Sequence, residues 1–182
     1  MTASNNGILL MDTAAIDRAL KRIAHEIVEQ NPDLTQIVLA GIPLRGVELA
    51  RRLAFKINQF EGTQIETGVV DVTMHRDDYH LRAKLPSPQE TILPLDINNR
   101  TLILVDDVLF TGRTCRAAMD AISSFGRPSR IQLATLLDRG HRELPIRPDY
   151  VGKNVPSSRN ERVMVRLKNV DPEIDSVWIR DN

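Results

Sequence analysis

The first clear pattern along the chain is a set of apolar residues at helical spacing. Four of them lie four, three and four residues apart: Ile16, Leu20, Ile23 and Ile27. This spacing places them on one face of a helix that begins near Thr13, directly after Asp12, a favourable N-cap residue. A second helical pattern covers residues 47–57. Both patterns predict helices that pack one apolar face against a core.

Short continuous apolar runs alternate with these helical patterns. They lie at residues 37–40, 69–73, 102–105 and 131–137, and a third helical pattern follows the run at 102–105 and stops at Gly126. Strands that alternate with helices are typical of a parallel sheet covered on both faces. We therefore predict an α/β fold with a parallel twisted sheet flanked by helices, and ligand binding outside the carboxyl ends of its strands.

The end of the chain shows only short strand-like runs, at residues 150–151, 163–165 and 177–179. We expect these runs, with the N-terminal segment, to form a small C-terminal hood of about 148–182 over a core of about 13–147, within one domain that covers residues 1–182. Residues 74–99 have no clear period. An irregular segment of this length in a compact domain is typical of a functional lid or of disorder.

Composition excludes several classes of protein. The chain has 24 basic and 24 acidic residues, so overall charge gives it no affinity for polyanions. Its single cysteine, Cys115, excludes an intrachain disulfide and favours a reducing compartment. No apolar run approaches the roughly 18 residues of a membrane span, and residues 1–7 lack the apolar stretch of a signal peptide. We predict a cytoplasmic protein with no membrane partner.

The most informative segment is the run 102–105 followed by Asp106 and Asp107 and then by the loop 111–114, Thr-Gly-Arg-Thr. A loop with hydroxyls and glycine before a helix N-terminus suits an anion. The two carboxylates cannot bind a phosphate, but they suit hydroxyl groups or a divalent metal ion. A sugar phosphate with a free diol would satisfy both the acid pair and the loop. The simpler interpretation of the segment is an acidic strand end before an ordinary turn.

This segment resembles the phosphoribosyl pyrophosphate (PRPP) motif of the type I phosphoribosyltransferases. The resemblance implies that family's fold, in which the paired acids hold the ribose hydroxyls and the loop holds the 5′-phosphate. It also implies Mg²⁺ as cofactor, near Asp106 and Asp107 through PRPP and water. The implied PRPP-binding residues are Leu44, Arg45, Leu102, Ile103, Leu104, Val105, Asp106, Asp107, Val108, Leu109, Phe110, Thr111, Gly112, Arg113 and Thr114.

Two further segments fit the same resemblance. Residues 41–46, Gly-Ile-Pro-Leu-Arg-Gly, are similar to the family's pyrophosphate loop and place Arg45 at the leaving group. Arg76 opens the long irregular segment and is expected to contact pyrophosphate when that segment closes. Together with Asp106 and Asp107, these two arginines are the implied catalytic residues. For residues 41–46 the alternative is a plain strand-to-helix turn. For Arg76 and the charged residues after it, the alternative is a solvated run of charges.

A second long motif, residues 138–154, narrows the resemblance to the PyrR family. That family is described as uracil phosphoribosyltransferases that also bind pyrimidine-operon messenger RNA as attenuation regulators. The resemblance covers about residues 16–165 and implies PRPP, uracil and uridine monophosphate (UMP) as ligands. Residues 139–168 contain eight basic and three acidic residues, which gives this segment a net charge of plus five. A solubilising surface is the simpler interpretation of that charge.

The resemblance also implies residues for the base and for RNA. Phe110 occupies the position at which purine-using relatives carry an acid, which favours a smaller base. The implied base-binding residues are Asp138, Arg139, Tyr150 and Val151. The implied RNA-binding residues are Lys21, His25, Arg142, Arg147 and Lys153.

Three alternatives to a bifunctional enzyme and RNA regulator stay open at this point. They are an enzyme without RNA regulation, an enzyme for another nucleobase, and a nucleotide-binding regulator without catalysis. We also expect a homo-oligomer, a dimer or larger. A methyltransferase is disfavoured, because Gly41 and Gly46 are five residues apart and do not form a Gly-x-Gly turn.

Overall fold

The computed structural model describes residues 7–75, 90–94 and 96–181. Its helices are α1 (Thr13–Gln30), α2 (Arg45–Glu61) and α3 (Arg113–Ser123), with short 3-10 helices at Leu34–Gln36 and Thr73–His75. Its strands are β1 (Ile8–Met11), β2 (Ile37–Gly41), β3 (Glu66–Val69), β4 (Thr101–Leu109), β5 (Arg130–Asp138), β6 (Tyr150–Asn154), β7 (Glu161–Arg166) and β8 (Ser176–Asp181). Asp12 caps α1 as predicted, because its carboxylate accepts a hydrogen bond from the Ala15 amide at 2.7 Å.

Five strands form the predicted parallel sheet, in the order β3-β2-β4-β5-β6. Helices α1 and α2 pack against one face with a large apolar cluster, and α3 packs against the other face with a smaller one. From β2 the chain proceeds to β3 on one side, and from β4 it proceeds to β5 on the other. The gap between the ends of β2 and β4 is therefore the point at which the strand order reverses, where ligands bind in open α/β sheets.

The hood is a separate three-stranded antiparallel sheet in the order β1-β8-β7. It combines the N-terminal segment with two of the three predicted C-terminal runs. The third run, at 150–151, is corrected: it belongs to β6, which pairs parallel with β5 as the edge strand of the main sheet. The parallel core therefore extends to Asn154, beyond the predicted boundary near residue 148.

Two other elements differ from their predicted bounds. The strand predicted at 69–73 is β3, which ends at Val69, because Val69 pairs with Gly41, the last residue of β2. Residues 73–75 form a short 3-10 helix instead. The strand predicted to run into the acid pair continues through it, so that Asp106 and Asp107 lie within β4. Within the described ranges, no helix is both long and apolar enough to cross a membrane.

Candidate active site at the carboxyl edge of the sheet

The acid pair lies where β4 extends past its neighbour. β2 ends at Gly41 opposite Val105, and the Ile42 amide makes a last hydrogen bond to the Val105 carbonyl at 2.9 Å. Beyond this point β4 continues to Leu109 and pairs only with β5. One edge of β4 therefore borders the reversal point of the sheet directly beside Asp106 and Asp107.

The two carboxylates lie close enough to interact with each other. Burial raises the pKa of the Asp107 carboxyl, while the positive charge of Arg45 and a hydrogen bond with the Asp106 side chain oppose that change. Asp106 accepts a hydrogen bond from the Asp107 amide at 2.9 Å. Its negative charge adds to burial in raising the pKa of Cys115 to about 11. Cys115 is therefore a protonated, buried thiol at neutral pH and unsuited to act as a nucleophile.

Gly46 places the start of α2 directly against the acid pair. A Cβ atom on Gly46 would lie 2.2 Å from the carbonyl oxygen of Val105 and 3.3 Å from Cα of Asp106. Only glycine permits this approach of helix and strand. The N-terminus of α2, with its partial positive charge and free backbone amides, is thereby held beside the two carboxylates.

Arg45, the predicted pyrophosphate-loop arginine, is the first residue of α2. Its Nε and Nη2 atoms donate hydrogen bonds to the two carboxylate oxygens of Asp171, at 3.0 and 2.6 Å. Burial opposes the charged form of Arg45, but the hydrogen bonds to Asp171 and the nearby Asp107 carboxylate outweigh it and raise the pKa of the guanidinium. The arginine is thus charged and held in one orientation beside the acid pair.

The predicted phosphate loop precedes α3 at the same edge. Gly112 has a φ of 94°, a left-handed conformation that glycine adopts without strain, and it occupies the N-cap position of α3. The Thr111 carbonyl accepts hydrogen bonds from the amides of Glu143 and Leu144, which brace the loop from the segment after β5. Arg113 donates to Glu143 at 2.9 Å. A second helix N-terminus therefore faces the strand ends, as an anion site requires.

The end of β5 contributes Asp138 and Arg139 to this edge. Arg139 lies over the ring of Phe110, with its Cζ atom 4.2 Å from the ring centroid. It also donates hydrogen bonds to Ser157, Ser158 and Glu161 at 2.8–2.9 Å, so it joins β5 to the segment before β7.

The other two predicted base residues lie on β6, and the structure does not bring Tyr150 to the site. Its side chain is 0% exposed, and its hydroxyl accepts a hydrogen bond from Asn31 and donates one to Gln132. Tyr150 pairs with Ala134 in the middle of β5, four residues before the strand ends. Burial therefore keeps this ring away from a base, and base binding at Tyr150 through its backbone stays a prediction. Val151 is next along β6, opposite Thr135, and is partly buried.

Two of the predicted RNA residues lie in the segment between β5 and β6. Arg142 donates hydrogen bonds to the carbonyls of Phe110 and Ile146 and to the carboxylate of Asp138, at 2.5–3.0 Å. Its guanidinium therefore holds this segment together. Arg147 is exposed.

The remaining three predicted RNA residues lie on α1 and on β6. Lys21 and His25 are exposed on α1, where the His25 ring stacks on Phe60 with 4.1 Å between ring centroids. Lys153 lies on β6 and donates to the Leu10 carbonyl at 2.9 Å. The five residues are therefore distributed over α1, β6 and the segment between β5 and β6. Arg76, the remaining predicted catalytic residue, falls outside the described ranges.

A metal ion at this edge would have few protein ligands. Among the described residues no group of three His, Cys, Asp or Glu side chains could hold a metal ion. Adjacent Asp106 and Asp107 nevertheless suit Mg²⁺, which usually binds one or two carboxylates together with substrate phosphates and water. The donor set therefore fits a metal ion that is bound with its substrate.

Sequence reasoning missed Asp171, the partner of Arg45. A lone acid in a loop between two hood strands has no local pattern that points to an arginine 126 residues away. Its position depends on the packing of the hood against α2. The available signal was the excess of acidic residues in the tail, which indicates an ionic partner without identifying it.

The fold and this site define a type I phosphoribosyltransferase. Residues 10–176 match the phosphoribosyl transferase domain family. Among solved structures, the hypoxanthine phosphoribosyltransferase of Trypanosoma cruzi has a TM-score of 0.73 at 17% identity and covers 96% of this chain and 97% of its own. The HGPRT-ase of Leishmania tarentolae has a TM-score of 0.71 at 17% identity and covers 99% of this chain and 100% of its own. These likenesses show the fold alone.

More similar sequences identify the group within that fold. The bifunctional protein PyrR of Chloroflexus aurantiacus is 58% identical over 171 residues, which is 94% of this chain and 94% of the relative. The bifunctional protein PyrR of Clostridioides difficile is 54% identical over 172 residues, 94% of this chain and 97% of the relative. The chain belongs to the PyrR family of phosphoribosyltransferases.

Proposed function

We propose that the protein transfers the 5-phosphoribosyl group of PRPP to uracil, which gives UMP and pyrophosphate. The observation that carries this proposal is the acid pair of β4 at the reversal point of the sheet, between the N-termini of α2 and α3. A diol-binding carboxylate pair between two anion-binding helix ends matches a ribose with phosphate groups at both ends. The family name bifunctional protein PyrR supports the choice of activity.

Each part of the site has a role in this reaction. Asp106 and Asp107 accept hydrogen bonds from the ribose hydroxyls and fix the ring. Thr111, Gly112, Arg113 and Thr114, with the α3 N-terminus, hold the 5′-phosphate. Arg45 stabilises negative charge on the departing pyrophosphate. The ribosyl centre becomes cationic as its bond to pyrophosphate breaks. Catalysis therefore depends on positioning and on charge stabilisation.

Mg²⁺ is the proposed cofactor, held by Asp106 and Asp107 through PRPP and water. When bound, it neutralises part of the pyrophosphate charge. The carboxylates must be ionised both for this contact and for accepting the ribose hydroxyls.

The base is proposed to lie beside Phe110, Asp138 and Arg139, near the end of β5. Phe110 cannot exchange a proton with a purine ring nitrogen, whereas a small base can be bound by backbone groups in this region. Of the two predicted base-binding residues on β6, Tyr150 is fully buried and Val151 is partly exposed. We assign no general base.

An activity panel tests this proposal. The protein with PRPP and Mg²⁺ is incubated separately with uracil, orotate, hypoxanthine and guanine, and nucleotide formation is measured. We expect UMP from uracil at a rate well above that of the other three products. A purine nucleotide as the main product would favour the alternative of a different nucleobase, and no product with any base would favour a regulator without catalysis.

The charge of Arg45 should influence the pH below which the enzyme loses activity. Burial raises the pKa of Asp107, and Arg45 opposes that change. Asp107 must be ionised, so activity is lost as the pH falls through its pKa. The change Arg45→Gln removes the opposing charge and raises that pKa further. We therefore expect kcat/KM for PRPP to decline at a higher pH than in the unmodified protein.

The control for this pH profile is Arg51→Gln, which removes an exposed arginine from the same helix. Its acid limb should coincide with that of the unmodified protein. An unchanged acid limb in Arg45→Gln would show that Arg45 does not act on the ionisation of Asp107.

We also propose a second activity, binding of a pyrimidine-operon leader RNA to regulate transcription attenuation. It is supported by the PyrR relatives and by basic residues around the edge strand β6. The alternative of an enzyme without this activity remains, with the basic segment as an oligomer contact. A homo-oligomer, a dimer or larger, is part of the proposal.

Arg147 provides the test of RNA binding, because it is exposed and lies outside the proposed PRPP and base sites. We expect Arg147→Gln to weaken binding of the leader RNA and to lower the slope of log affinity against log salt by about 0.7–0.9. Filter binding across a series of salt concentrations measures both values. The control is Arg127→Gln, an exposed arginine just before β5, at the amino-terminal ends of the sheet strands. Equal slopes in both variants would remove Arg147 from the RNA surface.

A further inference from the structure

The loop between β7 and β8 carries two carboxylates in parallel settings. Asp171 accepts a hydrogen bond from the Leu167 amide at 2.9 Å, and Asp175 accepts one from the Lys168 amide at 2.8 Å. Each carboxylate also binds an arginine of α2 in a two-point contact: Asp171 binds Arg45, and Asp175 binds Arg52. The loop is thus fixed internally by its own amides and externally to α2.

The Asp171 contact uses only one side of the Arg45 guanidinium. The hydrogen bonds run from Nε and Nη2, and within the described ranges Nη1 donates none. The planar guanidinium has five N–H donors, so Nη1 and the second proton of Nη2 stay directed away from Asp171. The Arg45 side chain is 35% exposed and that of Asp171 is 15% exposed, so the carboxylate lies behind the arginine and the arginine borders solvent.

We propose that Asp171 is a positioning residue for the pyrophosphate end of PRPP. It holds the guanidinium of Arg45 in one plane, with the three remaining N–H groups available to pyrophosphate oxygens. An arginine fixed in this way loses less conformational entropy when it binds its ligand. The inference rests on the proposed function, because it assigns the ligand of Arg45.

A competing carboxylate is a second interpretation, in which Asp171 occupies the pyrophosphate position and must leave before PRPP binds. One observation disfavours it. Asp171 is tied to the Leu167 amide as well as to Arg45, so it belongs to the loop. The hydrogen bonds from Arg45 and the Leu167 amide also lower the pKa of the Asp171 carboxyl, although burial opposes them.

Further contacts extend the same support along α2. Asn169 donates to the Glu48 carboxylate at 2.7 Å, and Arg52 donates to Glu48 at 2.8 Å. Arg45, Glu48 and Arg52 are spaced three and four residues apart and so form one stripe on the helix. The hood loop therefore contacts α2 at several points, of which only Asp171 contacts the proposed pyrophosphate arginine.

Asp175 gives a matched control. It lies in the same loop, accepts the same kind of amide hydrogen bond and binds the same helix, but its arginine is seven positions beyond Arg45. A structural contribution to the hood should appear in both Asp171→Asn and Asp175→Asn. An effect on pyrophosphate should appear only in the first.

The experiment compares these variants by steady-state kinetics, thermal unfolding and calorimetric titration with PRPP. We expect Asp171→Asn to raise the KM for PRPP and the inhibition constant of pyrophosphate together, by about three- to tenfold, with the KM for uracil changed less than about twofold. Asp175→Asn should lower the unfolding temperature at least as much and leave the KM for PRPP within about twofold. In an Arg45→Gln background, Asp171→Asn should have no further effect on PRPP.

A second substitution covers the case in which Asp171→Asn does not fold. Asp171→Glu keeps the charge but lengthens the side chain, so it should give a KM for PRPP between those of the unmodified protein and Arg45→Gln. The inference is overturned if PRPP and pyrophosphate constants are unchanged or fall in the Asp171 variants, or if Asp175→Asn raises them equally. Failure of the proposed function is a different result, since the unmodified protein would then make no UMP, while calorimetry would still report PRPP binding.

Discussion

Replacing Asp107 with asparagine should lower the turnover of UMP synthesis by about tenfold or more. The substitution keeps the shape of the side chain and removes its charge. Asp107 lies within β4 beside Arg45, at the reversal point of the sheet. An asparagine there accepts fewer hydrogen bonds from the ribose hydroxyls and supplies no negative charge near a ribosyl centre that becomes cationic. The loss should therefore appear in kcat, measured at saturating PRPP and uracil.

The fold should survive this change. Burial already disfavours the charged form of Asp107 and raises its pKa, so a neutral amide removes a desolvation cost. The unfolding temperature should accordingly stay the same or rise. Asp120→Asn is the control, because Asp120 is an exposed residue of α3 whose partner is Arg116, one helical turn away. Near-normal turnover in Asp107→Asn would remove the assigned role from this carboxylate.

Replacing Gly46 with alanine should disrupt both stability and activity. The new Cβ atom would lie 2.2 Å from the Val105 carbonyl, which belongs to the sheet backbone and cannot move alone. Alanine gains about 1 kcal/mol over glycine in helix propensity. The clash should outweigh that gain and cost about 3 kcal/mol or more, because α2 must move away from β4. Urea unfolding measures the change in free energy.

Gly62→Ala is the matched control for this substitution. Gly62 ends the same helix with a φ of 66°, and a Cβ atom there would meet nothing within 4 Å. Its cost should be about 1 kcal/mol, from the left-handed backbone alone. UMP synthesis should be retained in this variant. If Gly46→Ala is no less stable than Gly62→Ala, the close approach of α2 to the acid pair is not required by the fold.

Local sequence patterns were sufficient for the elements that build the site. The acid pair, the loop at 111–114 and the loop at 41–46 each combine a strand end with the start of a helix, and such a junction depends on neighbouring residues. Parallel pairing then brings the junctions to one edge of the sheet. The alternation of strands and helices therefore predicted both the parallel sheet and the edge at which these junctions meet.

Residues whose positions depend on distant packing could not be predicted in this way. The run at 150–151 looks like a hood strand, because its pairing with β5 cannot be read from so short a segment. Tyr150 was expected at the base, but its ring fills the core between α1 and the sheet, where Asn31 and Gln132 satisfy its hydroxyl. For Asp171 the acidic tail indicated only some ionic partner, because its contact with Arg45 depends on how the hood loop packs against α2.

The order of strands in the hood has a consequence for synthesis on the ribosome. β8 lies between β1 and β7, although it is the last of the three to be made. Neither neighbour has its partner until β8 has left the exit tunnel. A nascent chain would thus hold a complete parallel sheet while β1 and β7 still lack their partner strand. During that interval the two strands could pair with strands of other chains.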